Sequence, residues 1–340
     1  MPTGNSSRRD FLRGAAAVAS TGGLARQMIA GTSSGSDTGI PTRLLGKTGV
    51  RVSIIGVGGA HARAIKDDAE CIRYMHAAVG EGITFFDNAW DYSNGAAEEI
   101  MGKALAMDGY RKKVFLMTKN CGRDDKDSAK CLEDSLRRLQ TDHLDLWQFH
   151  EMNWDNDPDW IFERGAIKVA IEARKAGKVR FIGFTGHKDP RIHLKMAAKP
   201  FQWDTVQLPI NVMDAHYRSF QNEVVPVLVK RKIGIIGFKG FGGGRGNMLG
   251  KEGLTVEECL RYCLSLPVTT QVLGMTSMEQ LKQNVAIARN FQPMSAAEKS
   301  QLLARVKEVA GDGRYELFKS THAFEGAVHR RQHGFETKAP

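Results

Sequence analysis

From Arg43 onward the chain repeats one unit: a short apolar run rich in β-branched residues, then a stretch with helical periodicity. The unit recurs eight times. The apolar runs cover 52–57, 83–86, 114–117, 144–149, 179–182, 205–208, 233–236 and 270–273. The helical stretches cover 69–79, 97–106, 128–139, 167–176, 192–198, 223–230, 256–264 and 278–289. Apolar runs of this length read as strands buried on both faces, and successive strand–helix units require parallel strands joined by right-handed crossovers. Eight units with no second compositional zone predict a single closed (β/α)8 barrel of the TIM type, with a doubly wound open sheet as the alternative, because periodicity does not report closure. The 340 residues then divide into 1–40 as leader and linker, 41–312 as barrel, and 313–340 as a carboxyl-terminal tail.

The leader segment has its own signature. Ser7-Arg8-Arg9-Asp10-Phe11-Leu12-Arg13 precedes a weakly apolar Gly14–Ser20 stretch and a Gly/Ser-rich tract. Paired arginines ahead of such a core look like a twin-arginine export signal, whose cargo folds before crossing a membrane, and imply a periplasmic or otherwise extracytoplasmic protein. A chain whose leader goes unused would stay cytoplasmic. No run approaches the roughly 20 apolar residues of a membrane span.

Charge and cysteine content exclude further classes. Lys and Arg exceed Asp and Glu by 48 to 38, a net +10, but the basic residues are scattered in short groups at element boundaries. Nucleic-acid binding is not expected without a basic stripe interleaved with aromatics. The five cysteines, Cys71, Cys121, Cys131, Cys259 and Cys263, form no C-x-x-C pair, so neither a zinc ribbon nor a disulfide scaffold is expected, and no metal site is predicted. Cys259 and Cys263, four apart, read as one buried helical face.

In an eight-fold barrel the functional groups sit at the carboxyl ends of the strands. Three successive strands end on ionisable residues: Asp87 after Phe85-Phe86, Lys119 after Leu116-Met117-Thr118, and His150 after Trp147-Gln148-Phe149. Tyr92 follows Asp87 by five residues, and a short loop between them brings it over the same mouth. A nearby ammonium stabilises a phenolate and lowers its pKa. Lys119 is expected to do this for Tyr92, with Asp87 holding Lys119, and with His150 donating a hydrogen bond that orients a substrate oxygen. Such a set protonates a carbonyl oxygen as hydride reaches the carbon. His61, Trp90 and Trp154 lie in loops suited to substrate contact.

These residues resemble the aldo/keto reductase superfamily. Its Asp, Tyr, Lys and His tetrad maps onto Asp87, Tyr92, Lys119 and His150. The opening Leu44-Leu45-Gly46-Lys47-Thr48-Gly49-Val50-Arg51-Val52-Ser53 looks like the family's amino-terminal β-hairpin, and Asn94 to Leu105 is also family-like. The resemblance implies hydride transfer between a nicotinamide cofactor and a small aldehyde or ketone, or the reverse alcohol oxidation. The family's potassium-channel β-subunits supply the other reading, a nicotinamide-binding redox sensor. The implied cofactor positions are Thr185 and Gly186, where the family usually has Ser-Asn; Gln207 for the carboxamide; Phe238 and Lys239 against the nicotinamide; Arg245 in the 240–253 glycine-rich loop at the pyrophosphate; and Gly274, Thr276, Gln280, Gln283 and Asn284 at the adenosine phosphate. Gln280 stands where many NADP-using members have Arg, and Gln283 where many have Glu. NADP is the cofactor the family implies, and NAD is the alternative.

Overall fold

The computed structural model describes residues 39–244 and 247–336. The leader and Arg245 lie outside the described residues. Eight parallel strands close into a barrel in sequence order: β3 (Ile55–Gly58), β4 (Phe85–Asp87), β5 (Phe115–Asn120), β6 (Leu144–Phe149), β7 (Val179–Thr185), β8 (Thr205–Pro209), β9 (Gly234–Phe238) and β10 (Thr270–Leu273). β10 pairs with β3 through Gln271–Ile55, Val272–Gly56 and Leu273–Val57, which completes the ring and excludes the open sheet. Helices α1 (Asp68–Gly80), α2 (Ala96–Ala106), α3 (Asp125–Arg138), α4 (Ala166–Lys175), α5 (Pro190–Ala198), α6 (Val225–Lys230), α7 (Val256–Leu264) and α8 (Met278–Arg289) follow the strands in turn. Many start on a side-chain cap that the sequence supplies: Asp67 accepts from the Glu70 amide, Asp124 from Asp127, and Ser277 from Gln280, while Thr255 and Glu258 form a reciprocal box.

Two predicted elements are divided. The run 52–57 breaks at Ile54: Arg51–Ser53 (β2) pairs antiparallel with Thr42–Leu44 (β1), and only Ile55–Gly58 joins the barrel. The helix predicted over 223–230 is a turn at Phe220–Glu223 followed by α6, with Pro226 in its first turn. Proline has no amide hydrogen and fits only at a helix start, so a new helix begins there.

The β1–β2 hairpin closes the barrel's floor. Its Leu45 and Val52 are fully buried with Phe85, Phe115, Met117, Leu146, Ile236 and Val272, the inward-facing side chains of the strands. The larger core lies between strands and helices and contains Phe86, Leu116, Trp147, Phe149 and Phe184. The side-chain period of two therefore separates inside from outside along each strand. Cys259 and Cys263 are both buried on α7, as their spacing implied, and the five cysteines are free and buried. Beyond the barrel, α9 (Ala296–Ala310) packs on a second cluster with Met213, Met248 and Tyr262. The tail folds back as two short helices, Leu317–Ser320 and Ala327–Gln332. None of the helices in the described residues is long and apolar enough to cross a membrane.

Candidate active site

The inward rows of three strands carry the ionisable residues to one mouth. On β4, Phe85 faces the barrel interior, so Asp87 two residues on shares its face. On β5, Met117 faces inward and Lys119 follows it, while Thr118 points outward and donates to Glu98 at 2.6 Å. On β6, Leu146 and Gln148 precede His150 on the inner face. The short loop after Asp87 brings the Tyr92 hydroxyl to Lys119, and Ser93 and Asn94, both at positive φ, then turn the chain into α2.

Lys119 is the hub. Its buried ammonium pairs with Asp87 Oδ1, donates to the Asn88 carbonyl at 2.7 Å and reaches the Tyr92 hydroxyl at 3.2 Å. Gln207 donates through Nε2 to the other Asp87 oxygen at 2.6 Å. The His150 ring meets Tyr92 edge-on, with centroids 5.6 Å apart. The expected lowering of the Tyr92 pKa is not found. Burial pushes it well above the ordinary phenol value, and the carboxylates of Asp87, Asp91 and Glu151 add to the rise. The Lys119 charge is shared with Asp87, so in the ligand-free mouth Tyr92 remains a protonated donor.

A cavity of about 520 Å³ opens from these groups. Its wall runs from Asp87, Tyr92 and His150 past Phe238 and Lys239 to Gly274, Thr276, Gln280, Gln283 and Asn284, and His61 also lines it. A shallower depression adjoins it at Gln280 and Gln283. One extended groove thus leads from the tetrad to the start of α8. Asn284 Oδ1 is buried there without a donor, as is Oε1 of Gln207 behind Asp87. Buried acceptors left unpaired are costly, so Asn284 Oδ1 fits a ligand that brings amide or amine hydrogens, whereas Gln207, expected at the carboxamide, is not among the residues lining the cavity. The residues present suit a nicotinamide dinucleotide.

Several expected contacts lie elsewhere. His187, rather than Thr185 or Gly186, reaches the cavity wall. Gly186 is packed where an added Cβ would sit 2.4 Å from the Met152 carbonyl. Trp90 turns to α3, donating to Asp134 at 3.2 Å. Trp154 is held under the tail, stacked on His322 and Phe335 with centroids 5.1 Å away in each case. Gln280 is turned back on its own helix start, where its carbonyl accepts from the Thr276 amide at 2.8 Å.

Other groups at the mouth went unread in the sequence. Glu151 lines the cavity, buried, with φ of +50°, and accepts from the Gly326 amide at 3.0 Å. Burial, reinforced by Asp91, raises its pKa well above the carboxylate range. Its sequence signal was its position one residue past a strand-end histidine. Asp91 and Cys121 sit beside His150, and His329 reaches the same place from the tail. Burial lowers the pKa of His61, His150, His187 and His329, so this histidine-rich mouth carries neutral imidazoles.

A closed βα barrel with ionisable groups gathered at the carboxyl ends of its strands defines a barrel enzyme. Residues 54–253 match the model of the aldo/keto reductase family, and the chain belongs to that family of oxidoreductases. An uncharacterized oxidoreductase of Bacillus subtilis is 28% identical over 297 residues, covering 71% of this chain and 89% of the relative. An aldo-keto reductase of Schizosaccharomyces pombe named for NADP(+) is 29% identical, over 54% of each chain. Among solved structures, the holo form of an aldo-keto reductase from Bacillus halodurans superposes with a TM-score of 0.64 at 24% identity, covering 78% of this chain and 95% of that one, a likeness of fold.

Proposed function

We propose that the protein catalyses NADP-dependent interconversion of a small aldehyde or ketone with its alcohol, with Tyr92 passing the proton. The observation that carries this reading is the Lys119 ammonium, bonded at once to Asp87, the Asn88 carbonyl and the Tyr92 hydroxyl in a buried mouth. As a carbonyl oxygen gains charge it draws the Tyr92 proton, and the phenolate left behind lies against Lys119. Asp87 keeps that ammonium aimed, and Gln207 fixes Asp87 in turn. The bound cofactor supplies or accepts the hydride. Phe238, Lys239, Gly274, Thr276, Gln283 and Asn284 would hold it along the groove.

Replacing Tyr92 by Phe is expected to lower turnover by roughly 10²–10⁴-fold, the usual share of a positioned general acid. Cofactor affinity, read by fluorescence titration, should be unchanged, and retained turnover would overturn the assignment. We assign NADP from the family, although Gln280 offers no charge for a 2′-phosphate. Identifying the nucleotide retained by purified protein tests this, NAD being the contrary result. We further propose that the Arg8-Arg9 leader exports the enzyme folded and already loaded, which would supply nicotinamide outside the cytoplasm. Replacing both arginines by lysine should keep the protein in the cytoplasm.

A further inference from the structure

Lys239 lines the catalytic cavity one residue past the carboxyl end of β9. Its backbone stands at φ of +57°, a region that residues with a side chain seldom adopt, so the fold around it imposes the placement. Three other lysines are largely buried, and each has a carboxylate of its own: Lys119 pairs with Asp87, Lys188 with Glu325, and Lys319 with Asp214 and Glu316. Lys239 has none. Among the described residues its ammonium makes no ion pair and no hydrogen bond, and it rests against the rings of Phe238, Phe318 and Phe324, with centroids 4.5, 5.3 and 5.7 Å away. A ring face attracts a cation but offers no lone pair to its three N–H bonds.

Of the carboxyl groups whose charge reaches Lys239, Glu151 acts most strongly, followed by Asp87. Both are committed elsewhere. Each Glu151 oxygen accepts from the Gly326 amide, at 3.0 and 3.1 Å, while Asp87 holds Lys119 and the Gln207 amide. Burial lowers the Lys239 pKa to about 8, so the group is still charged at pH 7. A buried charged donor without an acceptor is costly unless the acceptor comes from outside the chain. The imidazoles of His61 and His187 face the same cavity and add no charge, since burial lowers both pKa values and the Lys239 ammonium lowers them further. This end of the cavity therefore offers one unbalanced positive charge. It matches a carboxylate, with one negative charge, better than a phosphate monoester with nearly two.

We propose that Lys239 is a specificity-determining residue that grips a carboxylate on the substrate, so that the enzyme interconverts oxo acids and hydroxy acids. The carboxylate accepts from the Lys239 ammonium while the carbonyl oxygen accepts from Tyr92, and both residues line one cavity. This assignment rests on reading the mouth as the reductase site. The backbone of Lys239 stays along the nucleotide groove, and its head group serves the substrate. Phe318 and Phe324 belong to the carboxyl-terminal tail, so the tail shapes the same specificity pocket.

The test uses the full-length protein and matched probes: 4-oxobutanoate against butanal, which lacks the carboxylate, and glycolaldehyde phosphate against glycolaldehyde. The wild type is expected to show a higher kcat/KM for 4-oxobutanoate than for butanal. Lys239→Met should lower that ratio roughly 10–100-fold, the share of a hydrogen bond to a charged group. Taking the ratio within each protein cancels any effect on the nucleotide, which both substrates share. A ratio unchanged by Lys239→Met, no preference in the wild type, or a larger preference within the phosphate pair would each overturn the proposal; if the variant does not fold, the wild-type ratios decide. A second measurement needs no turnover. With lysine labelled with ¹³C at Cε, the Lys239 signal is identified by its loss in Lys239→Met. Butanoate should shift that signal, and butanamide, neutral and of the same size, should shift it far less; equal responses sink the assignment. A butanoate response in a protein that turns over no carbonyl compound would defeat the reductase reading and leave the anion site standing. Turnover of butanal without a butanoate response would defeat the Lys239 assignment alone.

Discussion

Lys239 places an ammonium against the rings of Phe238, Phe318 and Phe324, at 4.5, 5.3 and 5.7 Å from their centroids. Burial pulls its pKa down to about 8, partly opposed by Glu151. The unfolded chain holds that proton up to a pH near 10.4. Below pH 8 both states are protonated and the folded state bears the full cost. Between about 8 and 10.4 the unfolded chain binds more proton, so this residue's penalty fades as pH rises. Lys239→Met is therefore expected to stabilise the ligand-free protein by about 2 kcal/mol at pH 7, after allowing for the solvent open to the mouth. Urea denaturation at pH 7 and again above pH 10 checks this, the gain shrinking at the higher pH. The nature and order of the strand-end residues were legible at this scale, because each strand's inward row is a period-two pattern. The Tyr92 pKa was not: it depends on Asp91 and Glu151, whose approach is set by the folded loops.

At the level of elements, the floor hairpin turns on Gly46. Its φ is +56°, and an added Cβ would lie 2.3 Å from the Gly234 amide nitrogen. The left-handed region costs a side-chain-bearing residue roughly 1–2 kcal/mol before any clash. Gly46→Ala should lower stability by more than that and shift the thermal midpoint downward, whereas Gly49→Ala, at φ +76° but with nothing within 4 Å, should cost only the backbone term. Comparing the two by calorimetry separates strain from collision. The eight barrel strands and their helices were readable because each buries a continuous apolar run or one face. The division of 52–57 at Ile54 was not, since Val52 and the Ile55–Val57 run are alike buried and differ only in which partner they pair with.

For the whole molecule, the tail acts as part of the fold. Lys319 is fully buried and donates to Asp214 at 2.7 Å, to the Tyr217 carbonyl at 2.7 Å and to Glu316 at 2.9 Å. Lys188 pairs with Glu325, and Phe324 closes one side of the cavity. Replacing Lys319 by Met leaves two carboxyls buried without their cation, which should cost about 3–5 kcal/mol. The loss is measured as a fall in the denaturation midpoint. The sequence by itself determined eight strand–helix units and the placing of Asp87, Lys119 and His150 at the ends of three successive strands, because strand periodicity and strand order are local properties; closure of the ring was decided by the pairing of β10 with β3. Only the tertiary structure decided that Trp90 and Trp154 face away from the cavity, that Glu151 and His187 face into it, and that Asp91, Cys121 and His329 surround His150. Those contacts join residues up to about 240 positions apart, and neither their hydrogen-bond directions nor the burial that sets their protonation can be read from spacing along the chain.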